Sequence, residues 1–203
     1  MWYASRSTGV VLLVLLTLVM LLGLLVTRQG RLPGLPRFAV TGLHRNLSLL
    51  AVVFVVIHVV TAVYDGYVHI PLTASVIPLT SSYERLWLGL GAVSFDLMLA
   101  VIVTSLLRRH LSRKLWRGVH LLVYVSWPVA WVHSVWASKD LQHGPLLLLA
   151  IACLLAIVAG VIWRLASAAR DVPRAERVGL LMSAFHHRSA SHDRGTRERT
   201  GVR

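Results

Sequence analysis

The chain has a single cysteine, Cys153, and only eight acidic side chains against 21 Lys and Arg. One cysteine excludes a disulfide framework, a thiolate metal cage and a Cys-x-x-Cys-His attachment site. Charged residues of all kinds make up 14% of the sequence, hydrophobic ones 56%, and the mean hydropathy is +0.69, a balance that excludes an ordinary soluble domain. No Gly-x-Gly-x-x-Gly run or other nucleotide-binding fingerprint occurs, so no dinucleotide site is written into these residues. The net charge of +13 does not point to nucleic acid, because the basic residues fall between and after apolar runs rather than on a polar domain with aromatic platforms. Membrane lipid is the partner that this composition calls for.

The apolar runs predict an all-α, polytopic membrane bundle of five transmembrane helices, at about 9–26, 42–64, 86–107, 115–136 and 145–163. Residues 1–8 are expected as an extracytoplasmic leader, 9–166 as the membrane domain and 167–203 as a basic cytoplasmic tail, largely disordered, with a short apolar patch at Val178 to Phe185. The first run is long, has no Ala-x-Ala-like site after it, and is followed rather than preceded by its arginines, so it is expected as a retained span and not a signal peptide. Pro33, Gly34 and Pro36 break the chain before the second span, and a Pro71/Pro78 connector predicts an exterior loop with an interfacial turn around Ile70 to Leu79. Arg6, Arg85 and Lys139 are the only basic side chains on one side of this layout; every other Lys and Arg falls on the side of the first and third connectors and the tail. The positive-inside rule then sets the N-terminus outside and the C-terminus inside a plasma membrane.

Two of the spans carry two histidines each. His44 and His58 stand fourteen residues apart on the second, His120 and His133 thirteen apart on the fourth. At about 1.5 Å per residue, either spacing sets one imidazole roughly 20 Å from the other, near opposite faces of a hydrocarbon core about 30 Å thick. By the charge count His44 and His120 lie toward the cytoplasm, His58 and His133 toward the exterior. Two such helices side by side offer two stacked pairs of imidazoles, the arrangement that clamps two six-coordinate haems held by histidine alone. One feature of the spacing works against it. At about 100° per residue fourteen residues return His58 to within roughly 40° of the His44 face, whereas thirteen leave His133 roughly 140° from His120. Pro128 lies between the latter two, where a kink or local re-winding would recover part of that turn.

Thr104-Ser105, Arg109, Trp116, His120, Tyr124 and His133, taken with His44 and His58 at their spacings, resemble the ferric reductase-like transmembrane domain. That superfamily includes NADPH oxidases, yeast-type ferric reductases and the bacterial haem subunit of periplasmic methionine sulfoxide reductase systems; the likeness covers about residues 10–165. It implies pairing by depth, with an inner haem b between His44 and His120 and an outer one between His58 and His133. It also implies passage of electrons from a cytoplasmic-side donor to an extracytoplasmic acceptor, such as ferric iron, a flavoprotein or a reductase. About forty residues follow the last span, so the donor is expected to be a separate flavoprotein, a flavin supplied by a partner, or a membrane quinol.

Arg45, beside His44, and Arg117, before His120, are candidates to pair with the inner haem's propionates, equally with being basic anchors. Trp127 is expected to pack between the two histidine levels, and Asp96 to face the bundle or a wet cavity, in a proton or ligand contact or equally a hydrogen bond to a neighbouring helix. His69 and His143 fall in exterior loops as solvated side chains or as contacts for a metal or acceptor. The rival from another class is a haem-free transporter or assembly subunit whose histidines bind protons or a metal ion.

Overall fold

A computed structural model describes residues 2–27, 36–65 and 70–168. The first basic connector around Pro33 and Gly34, His69, and the tail with its Val178 to Phe185 patch lie outside the described residues. Within them the chain is helical, with no strand. The helices are α1 (Trp2–Thr27), α2 (Arg37–Val63), α3 (Arg85–Leu106), α4 (Arg113–His120), α5 (Val123–Ala137) and α6 (Gly144–Ala168). Contacts define one unit as Met1–Gly160, and a second begins at Val161, of which the last residues of α6 are described.

Four of these helices, α1, α2, α3 and α6, are each long and apolar enough to cross a membrane. The expectation of five continuous spans is corrected at the fourth. Residues 115–136 do not form one helix: the chain tightens at Leu121 and Leu122, separating α4 from α5. The N–H groups of Leu122, Tyr124 and Val125 bond to carbonyls three residues back, at 2.9, 3.0 and 3.0 Å, which is 3₁₀ rather than α winding, and the Leu121 N–H is shared between the Arg117 and Gly118 carbonyls at 3.2 and 3.3 Å. The overwound stretch ends at Ser126, whose N–H returns to the Leu122 carbonyl at 2.8 Å; Pro128, inside α5, has no N–H to give the Tyr124 carbonyl.

The most buried helix is α1, whose Leu12, Leu13, Leu15, Met20, Leu22 and Leu24 are covered by neighbours. It packs chiefly along α2, α3 packs chiefly along α5, and α1 meets α5 to join the pairs. Lipid supplies no hydrophobic drive between helices, so close packing and hydrogen bonds hold the seams. Between α3 and α5, Ser94 and Ser126 each donate to the other's backbone carbonyl at 3.1 Å. Between α1 and α5, the buried Trp127 Nε1 donates to Thr17 Oγ1 at 3.1 Å, and Trp131 Nε1 reaches the Ala150 carbonyl of α6 at 2.9 Å. One face of α2, with Leu49, Leu50, Val53, Val56 and Val60, is exposed and apolar, as a lipid-facing surface should be.

The connector before α3 turns back onto the helices, as its prolines suggested. Ala74, in the 3₁₀ turn Leu72–Ser75, is buried, and Leu79 sits against Gly89 of α3. Leu79 holds a φ of 68°, unusual for a branched side chain, while its carbonyl accepts from Arg85 Nε at 2.7 Å.

Candidate functional site

The four histidines reach their positions on three helices. His44 and His58 lie four turns apart on α2, both turned toward α1; His120 ends α4, and His133 is on α5, turned toward α3. Three of them share one environment. His58 Nδ1 is 3.0 Å from the Ser5 carbonyl, His44 Nδ1 is 3.0 Å from the Val19 carbonyl, and His133 Nδ1 is 2.7 Å from the Trp87 carbonyl. A carbonyl oxygen only accepts, so in each ring Nδ1 carries the hydrogen and Nε2 presents a bare lone pair.

The structure brings His58 and His133 together: their ring centroids are 6.4 Å apart and their planes cross at 78°. They border an apolar pocket lined also by Leu16, Val55, Phe95, Met98 and Ala130. A more polar pocket continues from the same pair among Trp2, Arg6, Tyr83 and Glu84. Two imidazoles on opposite sides of one metal, with bonds of roughly 2.0 Å and each ring centre about 1.2 Å behind its nitrogen, have centroids about 6.4 Å apart. The spacing, the free Nε2 atoms and the apolar walls therefore fit a flat, apolar, metal-centred cofactor such as haem.

The second level is built differently. His120 lies within electrostatic reach of His44 and of Arg108. Trp116 stacks on His120 at 5.0 Å and 24°, and the Arg108 guanidinium lies 4.3 Å from the centre of the Trp116 ring. Both His120 Nδ1 and Trp116 Nε1 are buried without a hydrogen-bond partner among the described residues. Two buried nitrogens without partners, one of them an indole N–H that can only donate, mark this level as an environment to be completed by a bound group.

Of the remaining candidates, Arg45 and Arg117 are exposed on α2 and α4. Arg108, which the sequence reading passed over, is the cation that joins the aromatic stack. Trp127 is buried between the helices and bonded to Thr17. Asp96 is partly exposed on α3 with no hydrogen-bond partner among the described residues, and His143 is exposed with Nδ1 3.4 Å from the Lys139 carbonyl. The carbonyl partners were also missed. They carry no residue-type signature, but Gly9 and Gly23, which lie beside His58 and His44, repeat the fourteen-residue interval of those histidines.

The sequence profile described as ferric reductase like transmembrane component matches residues 8–131, which include His44, His58 and His120. No curated protein and no solved structure matches the chain significantly.

Proposed function

This chain belongs to the ferric reductase-like transmembrane family, and from that premise we propose that it is the membrane electron-transfer subunit of a reductase system. In this reading it holds an inner haem b between His44 and His120 and an outer haem b between His58 and His133. The observation that carries it is the His58/His133 pair: two imidazoles 6.4 Å apart, each with Nδ1 engaged by a carbonyl and Nε2 free, beside an apolar cavity. Iron held by two imidazoles exchanges single electrons without an open coordination position.

The protein's own part is to fix the ring orientations, keep the imidazoles neutral and exclude water. Carbonyl bonds from α1 and α3 do the first, and burial among the leucines, valines and Phe95 around the cavity does the other two. Trp116 and Arg108 offer the inner group an indole donor, stacking beside its His120 ligand and positive charge. The donor is a separate flavoprotein, a partner's flavin or a quinol at the cytoplasmic face, and the acceptor is extracytoplasmic, ferric iron, a flavoprotein or a reductase. Membership of a family with membrane-spanning helices makes the chain a multi-pass membrane protein; its basic connectors favour the plasma membrane with N-terminus outside. A bare metal ion is less well served, because among the described residues no three His, Cys, Asp or Glu side chains gather.

The test is the pyridine haemochrome spectrum and haem-to-chain ratio of the detergent-purified protein with His58→Ala and His120→Ala variants. The expected result is two b haems per chain, with each variant losing haem. Folded protein without haem, expressed where haem is abundant, would refute the conduit and restore the proton- or metal-binding reading.

A further inference from the structure

The three carbonyl-bonded histidines stand against glycines in one repeated register. A Cβ placed on Gly9 would lie 3.0 Å from His58 Cε1 and 3.3 Å from its Nδ1; on Gly23, 3.4 Å from His44 Cε1; on Gly91, 2.6 and 2.7 Å from His133 Cε1 and Nδ1. In every case the accepting carbonyl belongs to the residue four positions before the glycine: Ser5 before Gly9, Val19 before Gly23, Trp87 before Gly91. That carbonyl is the one to which the glycine's own N–H points in the helical ladder. A missing side chain one turn above it gives the ring room: a Cβ at Gly91 would stand where the His133 ring lies, one at Gly9 would press on His58, and one at Gly23 would only touch His44. Two helices thus present the same register three times, and a tilted or translated histidine would fit none of them.

We infer that Gly9 and Gly91 are positioning residues for the outer haem's ligands, each clearing a notch through which an imidazole donates its Nδ1–H to a neighbouring helix, while Gly23 repeats the register at ordinary contact distance. The inference rests on the two-haem reading for its consequence, though not for its geometry. The fourth histidine lacks the device. Carrying the His133–Gly91 register along α3 to His120 leads to Thr104 and the Ala100 carbonyl, and Thr104 Oγ1 already donates to that carbonyl at 2.7 Å. His120 Nδ1 accordingly has no partner. The outer pair is held by two notches, whereas in the inner pair only His44 has a carbonyl bond in this register. An imidazole whose Nδ1–H is bonded to a carbonyl is the stronger electron donor to iron, which favours the oxidised state, so opening a notch bond raises the midpoint potential of the haem concerned.

The three close approaches differ, and so do the expected effects. Gly91→Ala drives the ring away and loses the outer haem, lowering the ratio from two per chain to about one. Gly9→Ala keeps that haem but shifts its low-spin EPR signal and raises its midpoint potential. Gly23→Ala, at ordinary contact distance, leaves both haems as they are. Gly42→Ala, where a Cβ meets no described atom within 4 Å, and Gly160→Ala, which touches only Leu21 and Leu24, are the controls and change nothing. Potentials and EPR spectra of Gly9→Ala and Gly91→Ala indistinguishable from wild type, with two haems present, would overturn the inference while leaving the two-haem reading intact. Should Gly91→Ala fail to fold, Gly9→Ala carries the comparison. Nitrogen-15 NMR of the haem-free chain reads the notch independently: Nδ1 is protonated at His44, His58 and His133, and a ring protonated only at Nε2 refutes it whatever the haem content.

Discussion

A neutral imidazole inside hydrocarbon has to satisfy one donor and one acceptor, and His44, His58 and His133 satisfy the donor with backbone rather than with another side chain. A backbone acceptor cannot ionise and cannot swing away, so the ring is held without adding a second polar side chain to the membrane. The histidines themselves were legible in the sequence, because an ionisable residue in an apolar run stands out and its spacing is countable. The partners were not, because a carbonyl belongs to every residue and only the glycine above it distinguishes Ser5, Val19 or Trp87. Trp127 teaches the same lesson: its position between the histidine levels was readable, its acceptor Thr17, 110 residues away, was not. Thr17→Val keeps the shape but strands the buried Trp127 Nε1, and is expected to cost about 1 kcal/mol. A lower thermal midpoint in detergent with unchanged haem content is the outcome that fits. An unchanged midpoint would mean that the indole contributes through packing alone.

At the scale of the helix, the awkward thirteen-residue interval between His120 and His133 finds part of its resolution in the broken fourth span. Each 3₁₀ step turns about 120° instead of about 100°, so the three i−3 bonds of Leu122, Tyr124 and Val125 add on the order of 60°. That reduces the mismatch from roughly 140° to roughly 80°, whereas on α2 fourteen residues suffice without distortion. Span existence was legible from apolar length, and the ends from proline, glycine and charge. The break was not, because Leu121 and Leu122 differ in no way from their apolar neighbours and the only marker, Pro128, lies most of two turns away. Pro128→Ala returns an N–H to the Tyr124 carbonyl and lets the α winding that begins at Ser126 spread back toward Leu121. The Ser94/Ser126 pair and the Trp87 carbonyl fix the His133 half against α3, so His120 is the ring that rotates away. The haem-to-chain ratio should fall from two toward one with the outer haem's EPR signal retained; two unperturbed haems would show that the turn at Leu121 holds without the proline.

For the whole molecule, the proposed orientation, and with it which pair of histidines faces which compartment, rests on the distribution of charge. At the end of the helices that carries Ser5, His58 and His133, Arg6 is neutralised by Asp140 and lies over the Trp2 ring. The other end, with His44 and His120, displays Arg108, Arg109, Arg113 and Lys114 as exposed side chains between α3 and α4. The Arg6 end carries, among the described residues, only Arg85 and Lys139 besides that paired arginine, so the proposed orientation sets the larger group of exposed cations on the cytoplasmic side, because Lys and Arg resist crossing the membrane. In this reading the net charge of +13 follows topology. The buried Cys153 can be replaced by alanine to give a cysteine-free background, into which His110→Cys and Lys139→Cys are introduced one at a time at exposed positions. A membrane-impermeant maleimide should label Lys139→Cys in intact cells and His110→Cys only after the membrane is opened. The reverse pattern would invert the bundle, make His58 and His133 the cytoplasmic pair, and require the electron donor to meet the level that is held by the two glycine notches.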